Sequence, residues 1–175
     1  SNPLPTDHLM PLVDQFKLND VLQMILETML RALDCRRVIF CLKDAKSGAL
    51  VGRIGMGDGA DAIKAMFKVP VDRVDPAKAD LFGAVCLKNL DTLIADASTA
   101  SVSARLPTWF KDQVQAPTFL LLPMVVKRAN QQVVLGLIYA DKGRAGSLKV
   151  DERELSLLRT LRNQAIMAFK QSSGG

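Results

Sequence analysis

Histidine, tryptophan and tyrosine each occur once in 175 residues, and aromatic side chains make up only 5% of the chain. A lone His8 supplies neither a metal-ligand set nor the base of a catalytic triad, and no Gly-x-Ser-x-Gly elbow is present. So few aromatics leave no evident platform for stacking nucleic-acid bases. Cys35, Cys41 and Cys86 form no Cys-x-x-Cys pair, which argues against a disulfide framework and a zinc signature. Three reduced, mostly buried thiols in a cytoplasmic protein are expected instead. No apolar run approaches the ~20 residues of a membrane span, and the opening residues carry no signal-peptide pattern. Charge of one sign is never concentrated. The net charge is +5 from 23 basic and 18 acidic residues, with Arg36-Arg37 and Lys127-Arg128 as the main basic clusters. Neither a nucleic-acid nor a membrane partner is expected, nor any cofactor.

What the chain has is hydrophobic surface, at 49% of residues, enough for one domain with a substantial core. The stretch TFLLLPMVVKRANQQVVLGLIYADK, residues 118–142, concentrates it. Read as a hairpin, it sends Phe119, Leu121 and Val125 one way and Leu120, Leu122, Met124 and Val126 the other. A surface hairpin alternates apolar with polar residues, so this one requires cover on both faces. Residues 1–18, with Pro3, Pro5 and Pro11, read as an irregular lead-in. A long helix then starts near Asp20, where Asp20 and Gln23 resemble a capping box, and carries Val21, Leu22, Ile25, Met29 and Leu33. Two strands joined by a hairpin follow, RRVIFCLKD and GALVGRIG. After them come a short helix at DAIKAMF, an edge or bulged strand at FKVPVD, a helix around Leu81–Val85 and a short strand at DTLIAD. A second long helix begins at Asp151, with Glu154 completing a capping box, and buries Leu155, Leu158, Leu161, Ala165 and Phe169. The two long helices cover one sheet face. Residues 56–67 and 76–117 are what remains to roof the other, and loops of this kind enclose ligands.

This order of elements resembles a GAF domain, the sensory module related to PAS domains. The resemblance covers about residues 19–170 and rests on four stretches: the first helix running into RRVIFCLKD, GAVCLKNLDTLIADAS, the proline-bearing hairpin with a glycine in its return strand, and DERELSLLRTLRNQAIMAF. It implies an α+β fold, a central antiparallel sheet of about six strands with terminal helices on one face and a pocket on the other. Residues 1–18 and 171–175 would then be a lead-in and a flexible tail. Some bacterial relatives are joined to HDOD or other signalling domains, so attachment to such a domain is implied as well.

Specific chemistries known among GAF domains are weaker matches. Cyclic-nucleotide binders carry an Asn-Lys, Phe, Asp-Glu pattern; here Asp141-Lys142, Leu148 and Asp151-Glu152 stand in, with altered residues and shortened spacing. Covalent bilin attachment uses a cysteine followed by histidine, which is absent. The free methionine sulfoxide reductases use several pocket cysteines, and Cys86 alone falls near such a position. Gly55, Gly57 and Ala60 satisfy G-x-G-x-x-A, but the strand before them pairs in a hairpin rather than in a βαβ unit. Glycines that let a loop turn are the better account.

The expectation is a non-catalytic regulatory domain of a bacterial signalling protein that binds a small molecule and relays the change through its terminal helices. Phe40, Phe119, Leu121 and Tyr139 are expected to floor the pocket, with Phe82, Asp96, Arg105 and Trp109 contributed by the roof. Arg105 suits an anion and Trp109 a flat ring. The alternative is a ligand-free dimerisation module, its terminal helices pairing across a two-fold axis while side chains fill the pocket.

Overall fold

The computed structural model describes residues 4–172, with side chains from Lys17 onward. Helix α1 (Leu4–Leu33) is followed by β1 (Arg37–Lys43), β2 (Ala49–Gly57), α2 (Ala60–Lys64), β3 (Lys68–Pro70), α3 (Leu81–Lys88), β4 (Thr92–Ile94) and α4 (Ala100–Ser103). A π-helical turn at Phe110–Val114 leads into β5 (Thr118–Arg128), β6 (Gln131–Lys142) and the closing helix α5 (Glu152–Ser172). The six strands form one antiparallel sheet in the order β3-β2-β1-β6-β5-β4. The proline-bearing β3 is an edge strand, where a missing backbone donor is tolerated.

Both faces of the sheet are buried. Val38 and Phe40 of β1, Leu120, Leu122 and Met124 of β5, and Ile138 and Ala140 of β6 meet α1 and α5 through Leu22, Ile25, Leu26, Met29, Leu158, Leu161 and Ala165. On the opposite face Ile39, Cys41, Phe119, Leu121, Leu137 and Tyr139 lie under α2, α3 and the 97–117 segment. Each large side chain so buried contributes about 1.5–3 kcal/mol. With apolar residues on both faces of the β5–β6 hairpin, alternation cannot choose its register, because a one-residue slip would still bury every apolar side chain. Local geometry chooses it. Ala129 and Asn130 both take positive φ (51° and 65°), the two-residue turn whose twist suits a hairpin. The β5–β6 ladder also shifts between Met124 and Val125, where Leu135 is the extra residue. Beyond that bulge Val134 joins Leu137 and Tyr139 on the roof side.

Two features differ from the sequence reading. The lead-in expected over residues 1–18 is helical from Leu4, and only residues 1–3 lie outside the described part. Pro5 falls in the first turn, where its absent N–H costs nothing, and helix propagates readily from the packed Leu22–Leu33 segment. Asp20 and Gln23 are therefore exposed interior positions rather than a cap. At the other end, the expected tail includes Gln171 and Ser172, which are helical; residues 173–175 lie outside the described part. The capping box of α5 is present in full. Glu154 N donates to Asp151 Oδ1 at 2.7 Å and Asp151 N donates to Glu154 Oε1 at 3.1 Å.

Gly136 lies where β6 passes β1 so closely that a Cβ would sit 2.4 Å from the Cys41 carbonyl oxygen. Backbone cannot yield as a side chain does, so Gly136→Ala is expected to cost about 3 kcal/mol. Urea unfolding with an unchanged m value measures this loss.

Candidate functional site

The roof over the second sheet face is assembled from short pieces that need individual anchoring. Helix α3 starts at Asp80, whose carboxylate accepts from Gly83 N at 2.9 Å, and stops at Asn89 in the left-handed conformation. Leu81 N donates to Arg105 O at 2.8 Å, which ties α3 to the segment after α4. The π-helical turn ends at Gln115, also left-handed, with Gln115 N donating to Phe110 O at 2.8 Å. Leu106, Phe110 and Val114 recur every fourth residue and point their apolar side chains at the sheet.

Six rings fill the space beneath. Phe82 stacks on Phe119 at 5.7 Å with planes 8° apart, and Phe110 meets Phe119 at 4.8 Å. Phe67 reaches Tyr139 at 4.8 Å and Trp109 at 5.0 Å, and Trp109 leans on Phe82 at 5.2 Å. Each such pair adds about 0.5–1.5 kcal/mol to simple burial. Trp109 is half-buried; the other five are almost wholly enclosed. The region expected to be a ligand pocket is packed by the chain's own side chains.

Of the residues expected to line that pocket, Phe82, Trp109, Phe119, Leu121 and Tyr139 do come together. Phe40 does not. Alternation along β1 sends Ile39 and Cys41 to the roof and Phe40 to the helices, where its ring lies 6.1 Å from Phe169. Asp96 is also displaced from the expected site. Its Oδ1 accepts from Ser98 N at 2.9 Å and Ser98 Oγ at 2.6 Å, a turn-forming arrangement that holds its carboxyl below the usual range. Arg105 is exposed and lies on the outer side of α3. Phe67, Phe110 and Val114 complete the packed space and were not anticipated there; the four-residue spacing of Leu106, Phe110 and Val114 was the signal available.

Cavities occur around the roof instead. One of about 200 Å³ is floored by Leu106, Phe110 and Ala116 and rimmed by Ser98, Lys111 and Gln115. A second, also about 200 Å³, follows the outer side of α3. A shallow depression of about 350 Å³ at the strand ends carries mixed charge from Asp34, Arg36, Asp58, Lys142 and Arg144.

Among the described residues, two charged groups, Arg37 and Asp141, are buried together. Asp141, wholly buried at the end of β6, accepts from Arg37 Nε at 2.9 Å, Arg36 Nε at 3.1 Å and the Tyr139 hydroxyl at 2.5 Å. Arg37 Nη2 also donates to Val114 O at 3.2 Å, so the network holds the roof's π-helical turn to the sheet. Burial and the neighbouring Asp141 carboxylate both push the Tyr139 hydroxyl well above its ordinary value, keeping it a donor. The sequence reading placed Asp141 in a degenerate nucleotide-binding pattern and counted the arginines as a basic cluster; their mutual burial was not anticipated.

The thiols are suited to packing rather than reaction. Burial pushes Cys86 up to about 12, drives Cys41 strongly upward and raises the half-buried Cys35 to about 11. Among the described residues, no group of three or more His, Cys, Asp or Glu is placed to hold a metal. Nor is any described helix long and apolar enough to cross a membrane.

No family sequence model matches the chain, and no curated protein matches it. Solved structures do match. The GAF domain/HD domain protein from Geobacter sulfurreducens superposes with a TM-score of 0.64 at 16% identity, covering 86% of this chain and 90% of that one. The GAF domain of an Acinetobacter phosphoenolpyruvate-protein phosphotransferase gives 0.63 at 15% identity, over 93% and 95%. The GAF-B domain of DevS from Mycobacterium smegmatis gives 0.61 at 14%, over 90% and 96%. The chain has the GAF fold. Within it, the space between GAF sheet and roof is here closed by aromatic packing, and the roof is held down by Arg37.

Removing the carboxylate in Asp141→Ala leaves Arg37 buried without its partner and is expected to cost about 3–5 kcal/mol. Tyr139→Phe removes one hydrogen bond to that carboxylate and should cost about 1.5–3 kcal/mol. Comparable losses in denaturant melts of the two variants would refute this ranking. For the thiols, iodoacetamide at pH 8 is expected to leave Cys41 and Cys86 unmodified in the folded protein and to label Cys35 slowly, as peptide mass mapping would show.

Proposed function

We propose that this GAF-fold domain is a non-catalytic regulatory module of a bacterial signalling protein and that it works through contact with other protein surfaces. The observation carrying this reading is the six-ring cluster, which occupies the space a ligand would need. Burial that raises the Cys41 and Cys86 thiols, and the absence of a metal-holding group among the described residues, give no support to a reaction. The bacterial sources of the matching GAF structures, one a GAF domain/HD domain protein and another part of a phosphoenolpyruvate-protein phosphotransferase, support the signalling context. Helices α1 and α5 pack together and carry exposed Met24, Leu157 and Met167, positions available to a second copy or to an adjoining domain.

A second reading keeps the small molecule but moves its entry. Phe110 both floors the 200 Å³ cavity between α4 and the π-helical turn and packs in the ring cluster. A compound bound there would press on Phe110 and, through Val114 O and Arg37, on the sheet.

Native mass spectrometry of the purified protein, repeated after denaturation, separates the two. The first reading expects a dimer whose mass equals two chains. Extra mass lost on denaturation would overturn it in favour of the second. Trp109 is the sole tryptophan and lies in the cluster, so its emission should then shift when the released compound is added back.

A further inference from the structure

The outer groove along α3 combines an apolar floor, two cations and an open strand edge. Its floor is apolar, formed by Leu81 and Val85 of the helix, with Leu90 more than half exposed at its end. Lys88 and Arg105 line it as cations, no acidic side chain lines it, and neither cation has an ion pair among the described residues. Thr92 opens it onto β4, the last strand of the sheet, whose outer edge has no strand partner. The chain as a whole carries a +5 charge.

We propose that this groove binds an extended acidic segment of a partner protein, laid alongside β4. An unpaired edge offers backbone donors and acceptors to an extended chain, while alternate side chains of that chain reach to either side. Here one set meets the Leu81–Val85 floor, and acidic groups flanking it meet Lys88 and Arg105. The cations steer and register the segment; burial of its apolar side chains holds it. The exposed short edge is also where a sheet is open to pairing, since β3 at the opposite edge carries Pro70. A small organic anion would satisfy the cations but leave both the apolar floor and the strand edge unused. This inference rests on the protein-contact reading and adds the site and the chemistry of the partner.

The test uses the full chain and a fluorescein-labelled dodecapeptide in which every second residue, on one strand face, is valine at the centre and glutamate at both flanks, with serine at the intervening positions. Saturable binding is expected, with backbone amide shifts concentrated in residues 81–88 and 92–94. The double variant Lys88→Glu/Arg105→Glu should weaken binding by about tenfold or more, since like charges then face each other. Reversal of the distant pair, Lys127→Glu/Arg128→Glu, should change affinity by less than about twofold at 0.15 M salt, where remote exposed charges are screened. Equal weakening by both double variants would mean non-specific charge attraction and would overturn the proposal. Citrate giving the same shifts would also overturn it, in favour of a small-anion site. Peptide binding elsewhere, or no binding at millimolar peptide, would dismiss the groove while leaving the protein-contact reading to the mass measurement.

Discussion

A carboxylate buried at the end of the central strand pair is the constraint to which the other parts answer. Moving Asp141 out of water costs several kcal/mol unless its charge is met where it lies. Arg37 meets it from the position directly opposite in the β1–β6 ladder, and Arg36 and Tyr139 take the remaining acceptor capacity. That arrangement closes only when Arg37 faces Asp141. The two apolar faces of the sheet tolerate a slip, but the charge network does not. A buried ion pair here adds little net stability by comparison with a hydrophobic substitute; what it adds is a single register. Arg37 also donates to Val114 O, so the same guanidinium that sets the register fixes the roof's π-helical turn to the sheet.

With the roof held in this way, the interior follows. The sequence contains seven phenylalanines, one tryptophan and one tyrosine, and six of these nine form the cluster between roof and sheet. Scarcity of aromatics across the chain thus conceals a local abundance. Packing of this density resists partial emptying, because a compound entering it must replace both ring contacts and excluded-water volume. Trp109, half-buried at the margin, is the ring whose displacement costs least. The cavities consequently lie outside the roof or within its loops, and that relocation is the main departure from what the GAF resemblance implied.

The fold was legible because its signals are local and repeated. Helical stripes at Leu22–Leu33 and Leu158–Phe169, a capping box at Asp151–Glu154 and two-faced apolar strands at 118–142 each point to one structure. The site was legible only in part. Phe82, Trp109, Phe119, Leu121 and Tyr139 were brought together as expected, but Phe40 faces the helices. Strand alternation by itself assigns Phe40 and Ile39 to opposite faces without saying which faces the roof. Whether a space is empty depends on side chains from distant segments: Phe67 arrives from a loop, and the four-residue spacing of Leu106, Phe110 and Val114 marks an apolar face without saying where the chain carries it. The Arg37–Asp141 pair spans 104 residues, beyond the reach of any local pattern.

The two ties between roof and body suggest how contact on the outside would be felt within. Besides Arg37 and Val114, the roof is joined to α5 at Asp91, whose carboxylate accepts from Arg159 Nε at 3.0 Å and from Arg162. Arg162 also reaches Pro123 O of β5 at 3.4 Å, so one side chain bridges helix, edge and sheet. Asp91 stands between Leu90 and Thr92, both of which line the outer groove. A segment laid in that groove would therefore touch the residues on either side of the tie to α5. Exposed ion pairs on their own transmit little, but Asp91 and Arg162 are largely shielded from solvent, which preserves their coupling. The groove, Asp91 and the closing helix form a continuous path of contacts, whereas the aromatic core offers no comparably direct route to α5. If a segment occupies the groove as proposed, coupling from the outer surface to α5 is the direction this packing favours.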